Sequence, residues 1–234
     1  NFFGWGNETV FNSELDDDPM YEDEIERSID YYRIRYQQIE LNAAFTRRLG
    51  RWGVLEIGPF FQRVEIEKPL SEVRFINEYA ATLSEPFFEV PKSFTGLHYR
   101  WGIDHRDNPR LTTRGILLEQ ESYFVKGITD RATDYTSHTA AISFYQSFKL
   151  PARITFAWRI GGGLNSGRYE LYQAQILDGK TELRGFRKTR FYGDSKVFSN
   201  AEVRLKLASI KTYLFPASIG INGFYDAGRV WYED

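Results

Sequence analysis

Cysteine is absent from these 234 residues, methionine occurs once and histidine three times. Without thiols there are no disulfides and no thiolate metal sites, which suits an oxidising compartment without requiring one. His98, His105 and His138 lie far apart, with no pair at the i, i+4 spacing of a helical zinc site. No apolar run approaches the roughly 18 residues a membrane-spanning helix needs, and mean hydropathy is -0.47, so a helical membrane protein is excluded. Net charge is also lacking: 30 Lys and Arg stand against 32 Asp and Glu, for a balance of -2. The basic residues are interleaved with acids, so nucleic acid finds no electrostatic footprint and is not an expected partner. The opening shows no basic segment followed by an apolar stretch, so no signal peptide is read there, and the chain is expected to begin inside a longer protein.

Aromatic residues, by contrast, make up 17% of the chain, with 19 Phe and 15 Tyr. Such side chains favour pleated surfaces. Alternation of period two, the signature of a strand with unlike faces, recurs along the sequence. Ile39, Leu41, Ala43 and Phe45 alternate with Gln38, Glu40, Asn42 and Thr46. Leu97, Tyr99, Trp101 and Ile103 alternate with His98, Arg100, Gly102 and Asp104. The pattern returns in Ile154 to Ile160, in Ala201 to Leu207 against Asn200, Glu202, Arg204 and Lys206, and in Ile219 and Ile221 against Asn222 and Asp226. Weaker forms occupy Val54 to Glu67, Gly115 to Lys126 and Tyr135 to Lys149. About eight antiparallel strands are therefore expected.

Alternation alone fits a soluble sandwich or lipocalin-like barrel as well as a membrane barrel. Two features favour the membrane. Segments such as Tyr31 to Arg48 and Thr212 to Trp231 exceed the usual soluble strand of about 5–6 residues and reach the roughly 9–11 needed to cross hydrocarbon at a tilt. Connections also alternate in length. Leu49 to Arg51, Asp107 to Arg114, Lys149 to Pro151 and Ser209 to Thr212 are short or fairly short, whereas Lys68 to Ser93, Gly127 to Asp134 and Leu164 to Ser195 run longer on the whole. An up-and-down outer-membrane barrel has short periplasmic turns and longer outer loops. Trp52, Trp101, Trp158, Trp231 and several Tyr residues then suit the interfacial girdles, with some of them expected in mid-membrane or lumen instead.

Three stretches in order carry a more specific signal: Leu183-Arg184-Gly185-Phe186, then Asn200-Ala201-Glu202-Val203-Arg204, then Gly223-Phe224-Tyr225-Asp226-Ala227-Gly228-Arg229-Val230-Trp231. Together they resemble the C-terminal signature of the BamA-like bacterial surface-antigen superfamily of Gram-negative outer membranes. In that family a loop folds back into the barrel lumen and carries an Arg-Gly-Phe tip to inward carboxylates on the next two strands. The resemblance implies a luminal loop lock of Arg184, Gly185 and Phe186 against Glu202 and Asp226, on a loop spanning about residues 164–195. Alternation independently puts Glu202 and Asp226 on the polar side, either as solvated charges or as partners of Arg184. Tyr99 to Asn108 followed by Thr113-Arg114-Gly115 resembles the family's strand, periplasmic turn and strand, with Thr113 where the family commonly has proline.

The resemblance implies that residues 1–234 belong to one transmembrane barrel domain, incomplete at both ends. Comparison with a sixteen-strand member implies strands six to thirteen. The implied role is insertion or translocation of proteins at the outer membrane, with outer-membrane lipids, client outer-membrane proteins and periplasmic proteins as partners. The opening Asn1 to Thr9 resembles Bacteroidetes barrels preceded by a calcineurin-like phosphoesterase. That leaves open a second role, an anchor or export barrel for a fused enzyme. A soluble lipid-binding β domain is a third.

No catalytic residue, cofactor or metal is expected within this segment. Asp16, Asp17, Asp18, Glu22, Asp23 and Glu24 have the oxygens calcium prefers but not the spacing of a known loop, so a solvated acidic loop is the simpler account. Gly161-Gly162-Gly163 precedes neither Lys-Ser nor Lys-Thr and reads as a flexible strand end entering the long loop.

Overall fold

Alternation of apolar and polar residues demands a sheet with two unlike faces, and the computed structural model is dominated by one such sheet. The structure describes residues 36–66, 90–150, 152–186, 191–211 and 216–232. Its strands, in chain order, are β1 (Tyr36–Asn42), β2 (Phe45–Leu49), β3 (Gly53–Ile66), β4 (Lys92–Arg106), β5 (Gly115–Gly127), β6 (Tyr135–Leu150), β7 (Ala152–Gly167), β8 (Gln175–Leu177), β9 (Phe191–Gly193), β10 (Ser195–Lys211) and β11 (Pro216–Trp231). The large sheet runs β1-β3-β4-β5-β6-β7-β10-β11, with β2 also paired to β3 and every pairing antiparallel. Strands β8 and β9 form a small hairpin of their own.

β1 and β2 are one strand interrupted at a single point. Asn42 lies opposite Phe60 and Phe45 opposite Ile57, so the register is continuous across the gap. The Ala43 N–H donates to the Pro59 carbonyl at 3.3 Å, but Pro59 has no N–H to return. Eight long strands result, as the alternation predicts.

Register assigns every side chain to a face. One face carries Ile39, Leu41, Ile57, Leu97, Ile103, Phe124, Ile142, Phe144, Phe156, Val203 and Ile221. These apolar groups stay open, Phe156 at 48% and Ile221 at 64% of full exposure. The opposite face bears Lys92, Arg100, Glu121, Arg159, Lys196, Asn200, Glu202 and Asp226, and here the buried residues gather. Phe60, Phe94, Val125 and Tyr135 form one cluster with Tyr169 and Tyr172 packed on it; Leu177, Leu183, Phe198 and Val230 form another. Both clusters contain residues of the segment between β7 and β10. That segment lies across the polar face and creates the burial there. An apolar face left to solvent in this way marks a surface meant for an apolar medium.

The connection after β7 begins later than the alternation predicts. β7 continues through Gly161, Gly162 and Gly163 to Gly167, so the glycine triplet is strand interior rather than a flexible end. Space is the reason: a side chain at Gly163 would meet Gln175 Oε1, and one at Gly161 would meet Phe198 and the Ala140 carbonyl.

Candidate functional site

The segment between β7 and β10 turns back sharply at Leu183 to Phe186, where the Phe186 N–H donates to the Leu183 carbonyl at 3.2 Å. Gly185 sits at φ +98°, a region that residues with a Cβ seldom enter. Nothing lies within 4 Å of where its Cβ would be, so conformation and not space calls for glycine. The turn delivers Arg184 to the sheet. Its Nε donates to Asp226 Oδ2 at 2.8 Å and its Nη2 to Asp226 Oδ1 at 2.7 Å, a two-pronged fork, while Nη1 donates to Glu202 Oε2 at 3.1 Å. The Arg184 backbone N–H adds a bond to Asp226 Oδ2 at 3.0 Å. The guanidinium also lies 3.9 Å above the Phe224 ring, a favourable place for a cation. Phe186 stays half exposed, with its ring edge-on to Phe191 at 5.4 Å.

Strand register makes this convergence possible. Glu202 on β10 pairs with Phe224 on β11, and Asn200 pairs with Asp226, so both carboxylates stand on one face two rows apart. Both acids have further donors. Arg204 Nε bonds Glu202 Oε1 at 2.7 Å, and Asn200 Nδ2 bonds Asp226 Oδ1 at 2.8 Å. The Asp226 side chain is only 5% exposed. Removing one partner of such a pair leaves an uncompensated charge, which costs more than the pair itself contributes.

A further set of contacts had no sequence signal. Lys92 reaches Glu170 at 2.5 Å, Gln173 Nε2 donates to Gln62 at 3.1 Å, and Lys196 reaches both oxygens of Glu182 at 2.8 and 3.0 Å. Period-two alternation identifies which strand residues face inward, but it says nothing about which loop residue meets them.

The three histidines divide between the two faces. His98 is on the polar face, bonded to Glu121 at 2.9 Å and stacked on Tyr123. His105 and His138 instead project from the apolar face, because register sets them beside Ile116 and Ser122. His138 Nδ1 meets Ser122 Oγ at 2.7 Å, and Gln120 Nε2 donates to the same hydroxyl at 2.5 Å. Trp52 and Trp231 stand at strand ends as girdle residues would. Trp101 and Trp158 are well inside β4 and β7, and the indole N–H of Trp158 is satisfied by Ser199 Oγ at 2.9 Å.

The turn at Asp107 to Arg114 shows why threonine serves where the resembled family commonly has proline. Thr113 donates to Asp107 through its backbone N–H at 2.9 Å and its hydroxyl at 2.5 Å, and proline could supply neither bond. The opening Asn1 to Thr9 and the acidic run Asp16 to Glu24 lie outside the described residues. Among the described residues, no group of three or more His, Asp and Glu is placed to hold a metal ion.

Long antiparallel strands with an open apolar face and a polar face are the features of a wall in an outer-membrane β-barrel domain. A profile of the Omp85 superfamily domain matches residues 1–234. The chain belongs to the Omp85 superfamily. Membership places it in the bacterial outer membrane as a non-catalytic barrel with a role in inserting or translocating proteins there, and makes outer-membrane client proteins its partners. The match does not extend to the Bacteroidetes subtype. Comparison with curated proteins finds no match.

Proposed function

We propose that residues 1–234 form part of the wall of a single BamA-like insertion or translocation barrel, and that the segment between β7 and β10 is a luminal loop locked by Arg184 on Glu202 and Asp226. The observation that carries this reading is the fork of Arg184 on Asp226, completed by Glu202, on the face opposite the exposed apolar side chains. That geometry makes Arg184 the means of holding the loop in one position while clients pass or insert. A barrel wall of this kind puts outer-membrane lipids against the apolar face. It also leaves the turns beside Trp52 and Asp107 at the periplasmic end for partner proteins.

The test uses the full-length protein in intact cells. Arg184→Ala is expected to raise protease cleavage within residues 164–195 about tenfold, equivalent to about 1.4 kcal/mol, and to slow client assembly while strand content is unchanged. Arg184→Lys should fall between the two, because an ammonium cannot fork onto a carboxylate. Equal cleavage and equal assembly in Arg184→Ala and the parent would remove the lock.

A further inference from the structure

Arg184 is one of several groups that hold the loop, and the others are as well buried. Lys196, on β10, is almost wholly enclosed, and its ammonium donates to three oxygens: Glu182 Oε1 and Oε2, and the Ile176 carbonyl at 2.7 Å. Glu182 is equally enclosed and also accepts the Asp178 N–H at 2.9 Å. An ammonium has three hydrogens to donate, so Lys196 is fully satisfied here by the loop alone. Asn200 links the two anchors, since its Nδ2 donates both to the Glu182 carbonyl at 2.7 Å and to Asp226 Oδ1 at 2.8 Å. The loop's other end reaches strands distant in sequence. Lys92 on β4 holds Glu170, and Gln62 on β3 accepts from Gln173. Tyr169 and Tyr172 pack on the cluster of Phe60, Phe94, Val125 and Tyr135.

We propose that Lys196 with Glu182 is a second anchor beside Arg184, and that with Lys92 and Glu170 at the far end it makes the loop a strut fixed on both β3–β4 and β10–β11. The inference rests on the reading that this loop lies inside the barrel. Lys196 and Glu182 are positioning residues, acting through where they hold the loop. Two buried, mutually paired charges resist separation because either one alone is uncompensated. Loss of Arg184 therefore frees the tip at Leu183 to Phe186 while the base near Asp178 stays held.

Protease cleavage in intact cells, read by site in the full-length protein, tests the strut. Lys196→Met is expected to raise cleavage across residues 168–182 at least fivefold with Arg184 in place, whereas Arg184→Ala should raise it mainly at 183–190. Glu182→Gln combined with Lys196→Met should give less cleavage than the two single effects multiplied together, as groups in direct contact behave. If Lys196→Met matches the parent while Arg184→Ala is cleaved, the second anchor is wrong and the luminal lock stands. If neither variant is cleaved more than the parent, the luminal reading fails and the strut with it. Should Lys196→Met fail to reach the membrane, a water-soluble carbodiimide applied to the parent protein decides the matter. Isopeptide bonds joining Lys196 to Glu182 and Lys92 to Glu170, found by mass spectrometry, support the strut, and their absence overturns it.

Discussion

Asp107 shows how much a single side chain can organise when most of its neighbours are backbone groups. Asp107 lies in the turn after β4, outside the membrane-spanning strands. Its carboxylate accepts the Thr113 hydroxyl and the N–H groups of Asn108, Thr113 and Arg114. The Thr113 hydroxyl contributes most to lowering its pKa from 3.8 to about 2. A depressed folded value means that the charged form steadies the turn fully above pH about 3.8, and that this support fades as pH falls and is gone below about 2. A titration of the Asp107 carboxyl carbon by NMR should give a midpoint near 2, and Thr113→Ala should move it toward 3.8. A midpoint already near 3.8 in the parent would mean that the turn does not depend on this carboxylate.

At this same scale the sequence is readable for a definite reason. Glu202 and Asp226 could be assigned to the polar face by parity, since each strand position alternates sides regardless of what it meets. Lys196 was equally assignable, but its partner was not. Glu182 belongs to an irregular segment, where no period relates position to direction. Sequence likeness picked out Arg184 because its motif is short and ordered, and no such motif marks Glu182, Glu170 or Lys92.

Elements bring in packing between layers, and β7 is the clearest case. Its glycine triplet reads as a break only if the strand is considered alone. In the sheet, Gly161, Gly162 and Gly163 pair with Ala141, Ala140 and Thr139 on one side and with Phe198, Val197 and Lys196 on the other. The loop presses against the strand at this point, with Gln175 donating to Ser137 Oγ at 2.9 Å and Asn165 Oδ1 at 2.7 Å. Gly163→Val is expected to displace Gln175 and break both bonds while favouring the strand itself, because valine suits strands better than glycine. The variant should therefore keep its amount in the membrane and its strand content by circular dichroism, yet show several-fold more cleavage near residue 175. Unchanged cleavage there would mean that the loop does not rest on β7. The weak alternation of β5 has a comparable cause: Gln120 and Ser122 occupy apolar-face positions, where Gln120 Nε2 donates to Ser122 Oγ and that hydroxyl also meets His138, so the pattern blurs where polar groups pair among themselves.

For the whole molecule, the sheet's two faces must meet different media, and the strut explains why the polar face is also the buried one. Soluble sandwiches hide the apolar face and expose the polar one. Here the polar face holds Asp226, Lys196, Glu182 and both packed clusters, while Val203 at 42% exposure and Ile221 at 64% stand open on the other side. Lipid is the medium that makes this arrangement stable, and one pair of substitutions separates the two possibilities. Val203 lies at the centre of β10 on the apolar face. An arginine there would sit in hydrocarbon, costing about 2–4 kcal/mol at the bilayer midplane. Leu117 lies on the polar face of β5, opposite Asp104 in register, where an arginine meets water and an acid. In the full-length protein, Val203→Arg should sharply reduce the folded fraction, seen as loss of the faster-migrating unheated band on a gel, whereas Leu117→Arg should leave most of it. If instead Leu117→Arg were the damaging change and Val203→Arg harmless, the apolar rows would be facing water, and the barrel assignment could not survive.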